Sequence, residues 1–189
     1  MEKRHQTLQE CIQLNLNTPE DSKSKKVFED LKFAFSKGYL TRDEFLKICL
    51  WKSPRPKKHY LKNTEETIQK LTRLAFETDS EELKLSFLTS LSGVSIPVAS
   101  AILTITNPKD YGVIDIRVWQ TLYLYGEVNN NSVGKGFRTS DWINYLTILR
   151  KYAIILKLNV RDIERILFFH HREIQEGNLY SSKVIEQNH

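Results

Sequence analysis

Cysteine is scarce in this chain. Its 189 residues include only Cys11 and Cys49, which excludes a disulfide framework and any metal site built on four cysteines. Seven glycines and five prolines are too few for a fibrous or disordered chain. No apolar run approaches the length of a membrane-spanning helix, and the polar start MEKRHQTLQE is not a secretory signal. These absences predict a cytoplasmic protein without a membrane partner.

The composition that remains is typical of a globular domain. Hydrophobic residues make up 40% of the chain and charged residues 27%, and a chain of this length can bury a sizeable core. The formal net charge of +5 mildly favours a polyanionic partner. We expect a single domain over residues 1–189, built either as one compact unit or as two small helical lobes.

Apolar residues recur at helical spacing along most of the chain, and no strand-type alternation competes with them. The predicted fold class is therefore all-α. A capping residue followed by Glu three positions later predicts helix starts at Thr41, Asn63 and Asp79. We predict helices over residues 8–16, 22–36, 41–52, 64–77, 80–91, 97–106, 116–125, 140–157 and 160–174, with a flexible Gly- and Asn-rich loop over 126–138 and a polar tail from about 177 to 189.

Residues 89–120, TSLSGVSIPVASAILTITNPKDYGVIDIRVWQ, are the most informative stretch. Gly93 ends one helix in a tight hairpin, because glycine tolerates positive φ. Pro97 suits the first position of the next helix, where its missing N–H and fixed φ cost nothing. After a short loop, Asp115 stands where an N-cap belongs, before a third helical run. The stretch therefore predicts two helices joined by a hairpin and followed by a capping carboxylate.

Two segments of this stretch resemble the helix–hairpin–helix DNA glycosylase superfamily. LSGVSIPVASAIL resembles the hairpin of that family, and VIDIRVW resembles its later segment, which carries the catalytic aspartate. The order and spacing of the segments, from Pro97 to Asp115, are also similar. The resemblance covers roughly residues 83–125. It implies base excision, in which the N-glycosidic bond of a flipped damaged or modified base is hydrolysed and an abasic site is left.

Asp115 has two interpretations. It is either a helix cap alone, or a cap that also carries the catalytic carboxylate implied by the resemblance. Breaking an N-glycosidic bond builds positive charge on the sugar, which a fixed carboxylate stabilises. The same carboxylate orients or deprotonates the attacking water.

Pro97 bears on the reaction type. In the bifunctional branch of the family this position is a lysine, whose amine attacks the sugar and leads to strand cleavage. Proline offers no nucleophile, so the resemblance implies a monofunctional enzyme; another lysine of the chain remains an alternative nucleophile. A different branch of the family holds an iron–sulfur cluster on four cysteines, which this chain lacks.

The resemblance implies that the hairpin binds DNA through its backbone. The amides that would hold a phosphate belong to Ser92, Gly93, Val94, Ser95 and Ile96. The carbonyls of Thr89, Leu91 and Val94 would hold a monovalent cation, K⁺ or Na⁺, and no other cofactor is implied. Ser95 replaces the second glycine of the family's hairpin. The alternative is a plain helix–turn–helix corner of the core.

Residues 51–62, WKSPRPKKHYLK, form what we call the basic segment. Two prolines predict a non-helical connection here. Its candidate DNA contacts are Lys52, Arg55, Lys57 and Lys58, which either bind phosphates or form a solvated basic loop. Arg117, just after the candidate aspartate, either binds a phosphate or pairs with Asp115.

Aromatic residues supply candidates for a base pocket. Trp51 and Tyr111 border loops and are favoured for that role, whereas Trp119 belongs either to the pocket or to the core. His170 and His171 are adjacent on a predicted helix and therefore point in different directions, unlike the i, i+4 pair of a helical zinc site. We interpret them as surface or partner-pairing residues.

The leading hypothesis is a monomeric, monofunctional DNA glycosylase whose partner is DNA. The alternative is a non-catalytic helix–hairpin–helix module that recognises damaged or branched DNA. A third hypothesis is a helical interaction protein with a fortuitous hairpin. These residues do not distinguish repair of damaged bases from attack on modified phage DNA.

Overall fold

A computed structural model describes residues 1–177 and residue 179, and within these residues all regular structure is helical, with no strand. The prediction of an all-α fold is confirmed. The helices, in chain order, are α1 Leu8–Leu14, α2 Ser22–Leu31, α3 Ala34–Lys37, α4 Arg42–Lys52, α5 Lys57–Tyr60, α6 Glu65–Glu77, α7 Glu81–Thr89, α8 Ile96–Thr106, α9 Ile116–Leu124, α10 Thr139–Leu156 and α11 Val160–Ile174. Nearly all of the predicted tail from 177 to 189 lies outside the described residues.

Capping residues set several helix starts. Thr41 forms the predicted capping box with Glu44 at the start of α4. The caps predicted at Asn63 and Asp79 are wrong by one residue, because Thr64 and Ser80 cap α6 and α7 with their hydroxyl groups. In each case two adjacent residues are good caps, and the sequence pattern alone does not choose between them.

Two predicted segments differ from the structure. The helix predicted over 22–36 is interrupted at Lys32 and Phe33. Both residues keep dihedrals near the right-handed helical region, so the helical spacing of apolar residues continues across the break and does not reveal it in the sequence. The basic segment is not wholly non-helical, because α5 forms directly after Pro56. Proline fixes φ near the helical value and therefore starts a helical turn more readily than it continues one.

The buried apolar residues of the described chain form one cluster, which favours a single domain. Helix α8 lies at its centre: its residues from Val98 to Thr106 are all buried, as expected for a helix that is apolar on every face. Helix α4 packs on α8, and α11 packs on α9. Consequently the end of α4, the α7–α8 hairpin and the start of α9 meet on one side of the core.

The loop over 126–138 is held against α9 rather than free. The Trp119 indole donates to the carbonyl of Asn131 at 3.0 Å, and the Gln120 amide donates to that of Val133 at 3.0 Å. A Cβ at Gly134 would lie 3.1 Å from the carbonyl oxygen of Ile116. The expectation of a flexible loop is therefore not matched by its contacts.

Within the described residues, no helix has the length and apolarity that crossing a bilayer requires.

Candidate functional site

Asp115 is the N-cap of α9, as predicted. Its Oδ1 accepts hydrogen bonds from the backbone N–H groups of Arg117 at 2.9 Å and Val118 at 3.2 Å. These bonds fix the carboxylate on the positive end of the helix. The side chain is 18% exposed, and its second oxygen, Oδ2, is paired with a lysine.

Lys52 is the partner of that second oxygen. Its Nζ lies 3.2 Å from Asp115 Oδ2, and the Lys52 side chain is 16% exposed. Lys52 is the last residue of α4 and reaches Asp115 because α4 packs across α8. Lys52 is predicted from the sequence to contact a DNA phosphate. In the structure it forms an ion pair with the candidate catalytic carboxylate.

Among the described residues, the contacts of the Arg117 guanidinium are at the end of α11, and the predicted ion pair with Asp115 is not among them. The guanidinium lies 3.2 Å from Nδ1 of His171 and donates to the side-chain oxygen of Gln175. His171 is fully buried and His170 is 2% exposed, so neither is a surface residue. Burial and then Arg117 lower the pKa of His171 to about 4, which leaves this imidazole neutral at pH 7.

An inner cavity of about 290 Å³ opens beside Asp115. Side chains from α2, α4, α11 and the loop that ends at the N-cap of α9 surround it, and the ones used below are Trp51, Lys52, Asp115, Arg161, Glu164 and Phe168. A cavity near the lower end of the roughly 300–1,000 Å³ range of small-molecule sites has room for one heterocyclic base.

Glu164 places a second carboxylate in the inner cavity. Its side chain is 3% exposed, and Oε2 accepts from the guanidinium of Arg161, which also donates to Glu20 at 2.8 Å. Within the described residues, Oε1 of Glu164 has no hydrogen-bond partner. Burial raises the pKa of the Glu164 carboxyl, although Arg161 opposes that rise and Asp115 adds to it.

The sequence analysis missed Glu164, although a signal was present. Glu164 lies on the same face of α11 as Val160, Leu167 and His171, all of them buried. A charged residue on an apolar helical stripe is buried at a cost unless it is paired. Such a residue marks a position where an ion pair or a functional group is expected.

A larger outer groove of about 610 Å³ adjoins the inner cavity and shares Lys52 and Asp115 with it. The groove joins the start of α8 to the basic segment, through Ser95, Pro97 and Arg55. Among its described lining residues the basic side chains outnumber the single carboxylate of Asp115, and they are Lys52, Arg55, Arg117 and Lys135. Asp115 therefore lies where a positive groove meets a base-sized cavity.

The hairpin over residues 92–96 is built as expected around Gly93, whose φ is +85°. A Cβ at this position would lie 2.8 Å from Cβ of His59 and 3.0 Å from the ring of Tyr60, so glycine also allows the basic segment to pack on the hairpin. Pro97 is the second rather than the first residue of α8, which begins at Ile96.

The amides at the start of α8 are available to a ligand. The Ser95 side chain makes no capping hydrogen bond, and the amides of Ser95 and Ile96 have no hydrogen-bond partner within the described residues. Ser95 is exposed, whereas Val94 is buried at 7%. Ser95 is in an ordinary extended conformation (φ −91°, ψ 169°), so this turn does not require the second glycine of the resembled motif.

The other predicted DNA contacts divide into two groups. Arg55 lines the outer groove. Lys57 and Lys58 are exposed on α5 and line neither the inner cavity nor the outer groove. These two lysines therefore remain predicted contacts of the flanking DNA backbone rather than parts of the site.

Of the three aromatic candidates for a base pocket, only Trp51 lines the inner cavity, where its indole donates to the Ser24 hydroxyl at 3.2 Å. Tyr111 is 7% exposed and stacks on Trp142 with ring centroids 6.3 Å apart. Trp119 is fully buried against the 126–138 loop. The pocket assignments of Tyr111 and Trp119 are wrong, because both rings belong to the core.

The three carbonyls of the predicted cation site keep unused acceptor capacity within the described residues. The carbonyl of Leu91 accepts from the amide of Val94 at 3.1 Å, which leaves it a second lone pair. Within the described residues, the carbonyls of Thr89 and Val94 accept no hydrogen bond. Neutral carbonyl oxygens suit a hard monovalent cation.

Comparisons of the chain with protein-family models, with curated proteins and with solved structures found no match.

Proposed function

We propose that the protein is a monofunctional DNA base glycosylase that hydrolyses the N-glycosidic bond of a flipped damaged or modified base. The observation that carries the proposal is the position of Asp115. One of its oxygens is fixed by two amides of α9, the other is paired with Lys52, and the residue lines both the positive outer groove and the inner cavity. This is the placement needed for a carboxylate that acts on the sugar of an extruded nucleotide.

The proposed docking follows from the charges of the groove. A DNA strand lies in the outer groove with one phosphate on the amides of Ser95 and Ile96, at the positive end of α8. Arg55, which lines the same groove, contacts a neighbouring phosphate. A monovalent cation on the hairpin carbonyls would add positive charge beside this phosphate. The target base then enters the inner cavity past Asp115, towards Trp51.

In the reaction we propose, water adds to C1′ of the sugar while the bond from C1′ to the base nitrogen breaks. The electron pair of that bond leaves with the base, which takes up a proton. The Asp115 carboxylate stabilises the positive charge that develops on the sugar and accepts a proton from the attacking water. The products are the free base and an abasic site in an unbroken strand.

Glu164 is suited to supply the proton that the departing base takes up. It shares the inner cavity with Asp115, and one of its oxygens is not engaged by Arg161. Burial raises the pKa of its carboxyl, although the paired Arg161 opposes that rise, and a raised pKa shifts a carboxyl towards the acid form that donates a proton. In this proposal the two carboxyl groups have different roles: Asp115 acts as the carboxylate, and Glu164 acts as the general acid.

The alternative function is a non-catalytic module that binds damaged or branched DNA. The observation in its favour is the ion pair between Lys52 and Asp115, because it occupies the carboxylate oxygen that catalysis requires. The glycosylase proposal requires that a bound DNA strand draws Lys52 away towards a phosphate.

Mass spectrometry of bases released from a panel of damaged and phage-modified DNAs tests the proposal. We expect the wild type to release at least one base. Asp115→Asn should reduce that release by about 100-fold or more, with DNA binding retained because asparagine is also a good cap. Asp110→Asn is the matched control, since Asp110 is exposed in the same loop and lines neither cavity.

Release by the Asp115→Asn variant at the wild-type rate would overturn the assignment of Asp115. DNA binding without release of any base, across a panel in which a known glycosylase releases its substrates, would favour the non-catalytic alternative.

A further inference from the structure

A second cluster of reactive side chains lies away from Asp115. His5, Cys11 and His170 come from the segment before α1, from α1 and from α11, and their ligand-type atoms all lie within 4.8 Å of one another. Cys11 is fully buried and His170 is 2% exposed, whereas His5 is half-buried. None of the three lines the inner cavity or the outer groove.

Tyr125 connects this cluster to α9. Its hydroxyl lies 3.2 Å from Nε2 of His170 and faces the Cys11 thiol. Tyr125 is the C-cap of α9, and Asp115 is the N-cap. The cluster and the proposed active site are therefore separated by the length of this helix, roughly 14 Å for nine residues at 1.5 Å each.

The donor set matches a particular class of metal. One thiolate and two imidazoles are soft to borderline ligands, which select zinc and similar transition metals over magnesium or calcium. In a tetrahedral zinc site, bonds of about 2.0–2.3 Å place neighbouring donors roughly 3.5 Å apart. The ligand atoms lie within 4.8 Å of one another, so each pair needs a contraction of at most about 1.3 Å to reach this separation.

We propose that His5, Cys11 and His170 form a three-ligand site for Zn²⁺, with water in the fourth position. His5 provides the entry path because it is the ligand nearest to solvent. Tyr125 is placed to orient the ligands from outside the coordination sphere.

The metal would fasten the start of the chain to α11. Arg4 of this part pairs with Glu173 at 3.2 Å and donates to its carbonyl at 2.9 Å, and the Met1 amine lies 3.3 Å from Glu176, just after α11. Surface pairs of this kind contribute little to stability. A bound ion that joins three elements would thus stabilise the packing of α1 and α9 on α11.

Cobalt substitution tests the site directly. The full-length protein, treated with chelator and then titrated with Co²⁺, should bind one ion and show tetrahedral d–d bands together with a thiolate-to-cobalt charge-transfer band. Zn²⁺ should displace the cobalt and raise the melting temperature. Cys11→Ser should lose the charge-transfer band, and Cys49→Ser should keep it, because Cys49 is the other cysteine and is equally buried.

His5→Ala provides a second test of the site in case Cys11→Ser does not fold. His5 lies at the surface end of the cluster, so this variant leaves the buried residues unchanged. We expect more than about 100-fold weaker Zn²⁺ binding in this variant, because loss of an outer partner alone costs about 10–100-fold. A folded His5→Ala protein with unchanged Zn²⁺ affinity would overturn the site. So would a cobalt spectrum without thiolate charge transfer in the wild type, which would leave the cluster as a hydrogen-bonded group around Tyr125.

Discussion

Asn63, directly after the basic segment, exchanges two hydrogen bonds with Ser92 of the hairpin. The Asn63 side-chain amide donates to the carbonyl of Ser92 at 3.0 Å, and the amide of Ser92 donates to Oδ1 of Asn63 at 2.8 Å. Asn63 is 6% exposed, so water does not replace these bonds readily. The two parts of the proposed DNA surface are held in a fixed relation by this pair and by the contact of Gly93 with Tyr60.

Replacing Asn63 should weaken both the fold and DNA binding. Asn63→Ala leaves two part-buried backbone groups of Ser92 without their partner, which costs about 1–3 kcal/mol in the free energy of unfolding. Asn63→Asp should cost less, because it keeps the acceptor for the Ser92 amide. Urea denaturation measures both. Equal stability of the wild type and Asn63→Ala would show that the pair does not hold the hairpin.

Thr64 supplies the control for this prediction. Its hydroxyl caps α6 next to Asn63 by accepting from the Thr67 amide, a contact within the helix, so Thr64→Ala should lower stability by about 1 kcal/mol without changing DNA affinity. The Asn63 variants should lower both quantities.

Local patterns were sufficient to predict most of the fold. The spacing of apolar residues in α4, α6, α8 and α11 follows one turn of a helix, and the resulting helices lie close to their predicted positions. Asp115 was also predicted as a cap from its immediate neighbours, because the acceptor of a capping bond lies within three residues of its donors.

The contacts that define the site are not local. Lys52 and Asp115 are 63 positions apart, and their meeting depends on how α4 crosses α8. Arg161 forms an ion pair with Glu20, which is 141 positions away in the sequence. Neither pairing leaves a trace in the spacing of nearby residues. For the same reason Tyr111, which borders a loop in the sequence, was predicted at a pocket and is instead buried against Trp142.

The raised pKa of Glu164 predicts how stability depends on pH. Burial makes the folded protein bind this proton more strongly than the unfolded chain, whose ordinary value is 4.5. The unfolded state therefore loses the proton first, and the Glu164 contribution to stability falls as pH rises above 4.5 until the folded-state pKa is passed. Glu164→Gln should remove this decline, and Glu173→Gln, exposed on the same helix, should keep it.

Base release should respond to the same proton. If Glu164 donates to the departing base, the wild-type rate falls as pH rises through the raised pKa. Glu164→Gln should then lower the rate of base release by about 100-fold or more, and the rate of this variant should not fall as pH rises through that pKa. A variant that is slower but retains the wild-type pH profile would assign Glu164 a purely structural role.

The product of the reaction tests the role of Lys52. Pro97 has no amine, and the Lys52 ammonium is paired with Asp115 at 3.2 Å, so it offers no lone pair for attack on the sugar. We expect strands that break only after hot alkali, and no enzyme–DNA adduct after borohydride treatment. An adduct that forms with the wild type and Lys57→Met, but not with Lys52→Met, would identify Lys52 as a nucleophile and the enzyme as bifunctional.

Salt dependence tests the premise that DNA docks by its phosphates. Each neutralised phosphate contributes about 0.7–0.9 to the slope of log affinity against log salt concentration. Arg55→Gln removes a side chain that lines the outer groove, so the magnitude of the slope should fall by about that amount. Lys70→Gln changes the net charge equally, but Lys70 is exposed on α6 and lines neither cavity, so its slope should match the wild type. If the two variants behaved alike, binding would depend on overall charge, and the outer groove would lose its assignment as the DNA site.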